Sequence, residues 1–194
     1  MNNRNYVIDV AYDELGYTEK ASNKDLDDKY KNAGNNNYTK YGRDMVACIG
    51  EPYANGCAWC DTFVDWCFVK AYGVAEAHKL LCGWSAYTPT SASFYKHHKQ
   101  YSSTPEIGAQ IFFTNSYGVI CHTGIVVHLD QDYVYTIEGN TNKQNGVSDN
   151  GGMVCYKKYR RDYSRIDGYG IPKYDQDEIT DIIDSLYDKG GVIT

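Results

Sequence analysis

In NGCAWCDTFVDWCF, residues 55–68, Cys57, Cys60 and Cys67 stand beside Trp59 and Trp66. Three chemistries could use such a stretch. Cys57-x-x-Cys60 could grip a metal or form a redox pair, and Cys60, where an apolar run of helical period begins, could be a nucleophile. A structural zinc site needs four ligands, commonly as two close pairs. The chain has no second C-x-x-C and no H-x-x-H, and the adjacent Cys121 and His122 would point to opposite faces of a strand. A thioredoxin-like pair should follow a strand within a βαβ unit, whereas EPYANG precedes this one.

The nucleophile makes more demands. A helix N-terminus favours a thiolate, because its unpaired backbone N–H groups carry partial positive charge. A base must take the thiol proton, and a third group must orient that base. Of the five histidines, His78, His97 and His98 lie in polar helical stretches, while His122 and His128 bracket the apolar strand HTGIVVH. His122 enters that strand beside the small Thr123 and Gly124. In YVYTIEGNTN, Glu138 and Asn140 sit two apart and so share a face of an extended chain. A hairpin of 122–128 with 133–140 would return them to His122. Opposed residues in an antiparallel pair share a face, so Glu138 reaches the His122 side only through an odd-length loop or one bulge.

The elements that must position these residues are legible in the periodicity. Residues 5–15 carry Tyr6, Val7, Val10, Ala11 and Leu15 at helical spacing, stopped by Gly16. Residues 22–41 are polar and read as a long ordered loop or short turns. Helices follow over 60–72, with Phe63, Val64, Cys67, Phe68 and Ala71 on one face, over 74–81, and over 87–100 after Thr88-Pro89-Thr90. The character then changes: 111–113, 123–129, 133–137 and 153–159 are rich in β-branched and aromatic residues. Helices first and a small antiparallel sheet second is the α+β pattern. In DEITDIIDSLYDKGG, Ile179, Ile182, Ile183, Leu186 and Tyr187 form one stripe, so 175–194 reads as an amphipathic helix opening a linker to a further module.

Composition excludes other classes. A chain of 194 residues, 42 % hydrophobic and 23 % charged, can build one domain with a real core. A net charge of −6 argues against a nucleic-acid partner. The one basic run, KKYRR at 157–161, reads as a strand with a solvated face. The start, MNNRNYVIDVAYDELGY, has no apolar core for a secretion signal or a span. Synthesis in the cytoplasm without a signal peptide is expected, with no membrane insertion. Seven cysteines, an odd number, are expected as free thiols. DLDD at 25–28 lacks the ligand spacing of a calcium loop, and no cofactor and no metal are expected.

At these residues the sequence resembles a CHAP domain, the cysteine- and histidine-dependent amidohydrolase/peptidase of bacterial and phage cell-wall lysins. Cys60-Asp61-Thr62-Phe63 matches the family's C-x-x-F at a helix start, His122-Thr-Gly-Ile-Val-Val its histidine strand, and Glu138-Gly139-Asn140 its acidic-x-Asn element. PEIGAQIFF is similar to its connecting strand and DGYGIPKY to its closing strand. Departures are Cys121 where Gly is frequent before the histidine, Ala109 where Asp is frequent, and an EPYANGCAW loop with Glu51 as its only acid, so calcium is not carried over.

The resemblance implies a papain-like α+β fold over 1–174 and hydrolysis of bacterial peptidoglycan, either at the amide joining muramic acid to L-alanine or at a peptide bond. The likeness to phage endolysins of Gram-positive bacteria implies a monomer that reaches the wall after release from the cell. Cys60 is then the nucleophile, His122 the base, and Glu138 and Asn140 its partners. Cys67 is a core residue, Cys57 a structural one, and Trp59 a wall of the substrate groove. The alternative is a catalytically inactive wall-binding module on the same scaffold.

Overall fold

The computed structural model describes residues 3–148 and 150–175; the helix expected beyond them lies outside the described residues. Helices α1 (Arg4–Asp13), α2 (Lys40–Cys48), α3 (Cys60–Tyr72), α4 (Val74–Leu81) and α5 (Thr88–His97) come first. Strands β1 (Tyr101–Ser102), β2 (Gln110–Thr114), β3 (Ile120–Leu129), β4 (Tyr133–Thr141), β5 (Met153–Arg160) and β6 (Ile166–Gly170) follow. They form one sheet in the order β1-β6-β2-β3-β4-β5, with every neighbouring pair antiparallel. The expected α+β class is the observed one.

Helix α3 is the centrepiece. Its residues Cys60 to Phe68 are all buried, which is why its sequence is apolar nearly all round rather than striped. Phe63, Val64, Cys67 and Phe68 join α1, α4, α5 and one sheet face (Phe112, Ile125, Ile137, Val154) in the main core. The opposite face gathers Ile111, Phe113, Val126, Val134 and Tyr159 into a second, smaller cluster.

Two elements escape the periodicity argument. Helix α2 is nine residues long, contains Gly42 and starts from Thr39, whose hydroxyl accepts from the Gly42 N–H at 3.0 Å. Nothing in KYGRDMVAC repeats long enough to announce it. Strand β1 is a two-residue edge. The polar segment before α2 is ordered by local bonds: Tyr17 donates to the Leu26 carbonyl at 2.8 Å, and the Lys20 N–H to that of Tyr38 at 2.8 Å.

The packing of α3 on β4 depends on Gly139. A Cβ there would stand 2.6 Å from Phe63 Cβ and 2.7 Å from Trp59 Cζ3, so the residues flanking Cys60 touch the strand backbone directly. Gly139→Val should therefore destabilise the fold by about 1–3 kcal/mol through overpacking, measured by urea denaturation with an unchanged slope.

Candidate active site

Cys60 is the first residue of α3. Its N-cap, Trp59, has φ −127° and ψ 17° and offers no side-chain cap, so the first-turn N–H groups keep their partial positive charge at the thiol. Trp59 is held from behind. Its indole N–H donates to Glu19 Oε2 at 3.0 Å, and its ring stacks on Tyr41 at 5.4 Å. At 1 % exposure it is core. The expectation that Trp59 walls a groove is therefore corrected: a polar partner 40 residues upstream draws the indole inward and fixes the backbone from which Cys60 projects.

His122 and Glu138 meet through a register change. Near the turn, Leu129 opposes Val134 and His128 opposes Tyr135; past the bulge, Val126 opposes Thr136 and Ile125 opposes Ile137. The even-length loop 130–133 alone would send Glu138 to the wrong face, and the bulge restores the parity. His122 Nε2 donates to Glu138 Oε2 at 2.9 Å, with both side chains at 0 % exposure. Gly124 makes the space: a Cβ there would lie 2.5 Å from Glu138 Cγ.

The carboxylate has further partners. Thr136 donates to its Oε1 at 2.6 Å and Tyr159 to its Oε2 at 3.2 Å. Phe113 packs against both the His122 ring (6.0 Å) and the Tyr159 ring (4.7 Å). Sequence reasoning missed Thr136 and Tyr159; the signal for Thr136 is its i, i+2 spacing to Glu138 on one strand face.

Burial works against a charged His122 ring, but Cys60 and Glu138 outweigh it and raise its pKa to about 10. With Nε2 engaged by Glu138, Nδ1 is the nitrogen left for Cys60. It makes no formed hydrogen bond, the loose geometry common for a nucleophile and base before substrate arrives. Asn140 follows in a left-handed conformation, φ 53°, buried, with both atoms of its amide unpartnered. Cys67 is buried and Cys57 exposed, so the structural role expected for Cys57 has no packing behind it. His128 is exposed at the far end of β3.

Beneath Cys60 lies a polar network. Asp61 accepts from Ser91 Oγ at 2.6 Å and Gln110 Nε2 at 2.9 Å, and Asp65 from the Tyr53 hydroxyl at 2.5 Å. Burial raises the pKa of both carboxyls. Two acids four apart in an otherwise apolar helix are the sequence signal for such a network. Among the described residues no group of His, Cys, Asp and Glu could hold a metal ion, and no helix is long and apolar enough to cross a membrane.

Within this α+β fold, a cysteine at a helix start, a strand histidine and its carboxylate partner all fall in one stretch of the chain. Residues 52–140, which contain Cys60, His122, Glu138 and Asn140, match the model of the CHAP domain family. Among solved structures, the crystal structure of Ly7917 is similar with a TM-score of 0.51 at 12 % identity, over 88 % of this chain and 62 % of that one. The chain thus spans less than two thirds of that protein, and the likeness concerns the fold. No curated protein matches the sequence.

Two outcomes test the geometry. Gly124→Ala should push the Glu138 stem away from the ring, lower kcat about 10²-fold, and lower the thermal midpoint as overpacking of a buried site does. The raised His122 pKa should hold kcat/KM level through neutral pH, with a single-proton alkaline limb near 10. In Glu138→Gln that limb should move down toward the ordinary histidine value of about 6.5. The same linkage makes the His122 proton stabilising: its contribution is complete below about pH 6.5 and fades as pH rises through about 10.

Proposed function

We propose that the protein is a peptidoglycan hydrolase that cleaves an amide or peptide bond of the bacterial cell wall with Cys60 as nucleophile. The observation that carries this reading is the fully buried His122–Glu138 pair at 2.9 Å, with Cys60 at the uncapped start of α3 raising the ring's proton affinity. A structural histidine would not need a thiol beside its second nitrogen.

In the proposed cycle the Cys60 proton resides on His122, and Sγ attacks the scissile carbonyl carbon. The C–N bond breaks as His122 delivers that proton to the leaving amine, leaving a thioester on Cys60. Water, deprotonated by His122, attacks the thioester, releases the acid and regenerates the Cys60 thiolate and the His122 imidazolium. Glu138 holds the ring tautomer and balances the imidazolium. The oxyanion is met by the Cys60 backbone N–H at the helix start, and Asn140, with its unpartnered amide, completes the polar wall. The enzyme acts as an endolysin-like amidase or endopeptidase, made in the cytoplasm and reaching the wall after release, as a monomer.

Cys60→Ala should abolish clearing of Gram-positive walls with the circular dichroism spectrum retained, whereas Cys57→Ala should keep most activity. Mass spectrometry of the released muropeptides separates the bonds: a free muramic lactyl group marks an amidase, a new peptide amine an endopeptidase. Failure of the wild type to release any muropeptide, or of iodoacetamide to label Cys60, would leave the inactive wall-binding module as the correct reading.

A further inference from the structure

Strand β3 carries a second bulge, on its β2 side. Phe113 opposes His122, but the next residue, Thr114, opposes Ile120, so Cys121 has no opposite number on β2. This extra residue directly precedes His122, and a bulge is a recurrent device for re-aiming a side chain beside an active site. The other edge of β2 slips as well: Phe112 opposes Gly168 of β6, and Phe113 opposes Ile166. Thr114 thus ends β2 with both neighbouring strands out of step, and a group outside the regular ladder has to hold it.

That group is Arg165. The Thr114 N–H donates to the Arg165 carbonyl at 2.8 Å, and Arg165 Nε donates back to the Thr114 carbonyl at 2.6 Å. The other two nitrogens of the guanidinium reach further: Nη2 donates to Cys121 Sγ at 3.7 Å, and Nη1 to the Val147 carbonyl at 3.4 Å. Cys121 is the bulged residue, and Val147 belongs to the loop that follows Asn140 and Thr141. Lys157 fastens the nearer carbonyls of that loop, those of Asn142 (3.0 Å) and Gln144. Tyr159, the donor to Glu138, also lies 3.4 Å from the Gly146 carbonyl. One guanidinium therefore joins the end of β2, the entry to β3 and the loop beyond β4, the segments that border His122 and Asn140. An arginine that merely capped a strand end would need one of these acceptors; spreading over three ties the segments to one another.

We propose that Arg165 is a positioning residue of the candidate site: through the bulge at Cys121 it sets the orientation of the His122 ring, and through Val147 it fixes the loop beyond Asn140. Its influence on the reaction passes through those two residues. The inference rests on the hydrolase reading above, since it takes His122 as the group that moves the proton. Lysine cannot replace the fork, because a single ammonium on a flexible stem does not serve acceptors in several fixed directions.

Turnover of soluble peptidoglycan by the whole chain, read as muropeptides released, tests it. Arg165→Lys should lower kcat and kcat/KM together by about tenfold, as loss of orientation does. It should also draw the alkaline limb of kcat/KM down from about 10. A ring that has drifted from Glu138 loses the partner that holds its proton, and the retained charge at residue 165 leaves geometry as the cause. Cys121→Ala, which removes only the sulfur contact, should lower kcat about threefold. Added to Arg165→Lys it should cost nothing more, since both changes break one contact. A merely structural arginine would instead lower the thermal midpoint and leave kcat and the limb as in the wild type. That result, or losses that multiply in the double variant, would overturn the inference and leave the hydrolase reading intact. An unaffected kcat in Cys121→Ala would overturn it even where Arg165→Lys is too unstable to assay. A wild type that releases no muropeptide would overturn the hydrolase reading and this inference with it.

Discussion

A charged pair with no access to water organises this molecule. Burying a carboxylate and an imidazolium costs several kcal/mol per ion unless the remaining polar atoms are met; the surroundings supply partners to both oxygens of Glu138, and only His122 Nδ1 is left without a formed hydrogen bond. Thr136 and Tyr159 cap the two carboxylate oxygens. Gly124 yields its side-chain volume to the Glu138 stem, and the bulge in β3 turns both residues to one face. Remove the pair, and four local choices on three strands lose their common reason.

The second constraint is the closeness of α3 to the sheet. Gly139 lets Phe63 and Trp59 rest on the β4 backbone, and this contact decides how far Cys60 stands from His122. Asp61 and Asp65 then fasten the helix to α5, β2 and the loop before it through Ser91, Gln110 and Tyr53. A thiol so framed has little freedom to drift, as the proposed attack by Cys60 requires.

Much of this was legible in the sequence, for physical reasons that differ by element. Helix α3 and strands β3 and β4 are long and apolar enough for periodicity to outweigh local noise, so the bounds of α3 and the hairpin that unites His122 with Glu138 followed directly, while β3 starts earlier and β4 ends later than their apolar runs. The need for a parity change in that hairpin followed too, though its place at a bulge beside Val127 could not, because register depends on backbone detail that no side-chain pattern records. Helix α2 stayed hidden since a short helix with a glycine is stabilised by its Thr39 cap and by packing, not by propensity. Trp59 was misjudged because a tryptophan beside a nucleophile suits a groove and a core equally well; Glu19, distant in sequence, decides the matter.

The hold on Trp59 also orders events in time. The segment that carries Glu19 is stitched to the far end of the chain: Gly16 N–H donates to the Val154 carbonyl at 3.0 Å, Val154 N–H to that of Tyr17 at 2.9 Å, and Glu19 N–H to that of Gly152 at 2.8 Å. The backbone support of Cys60 is thus complete only after β5 has left the ribosome and closed over the N-terminal segment. Such a late, long-range closure is slow to form, so a nascent chain displaying only its first two thirds carries Cys60 without this support.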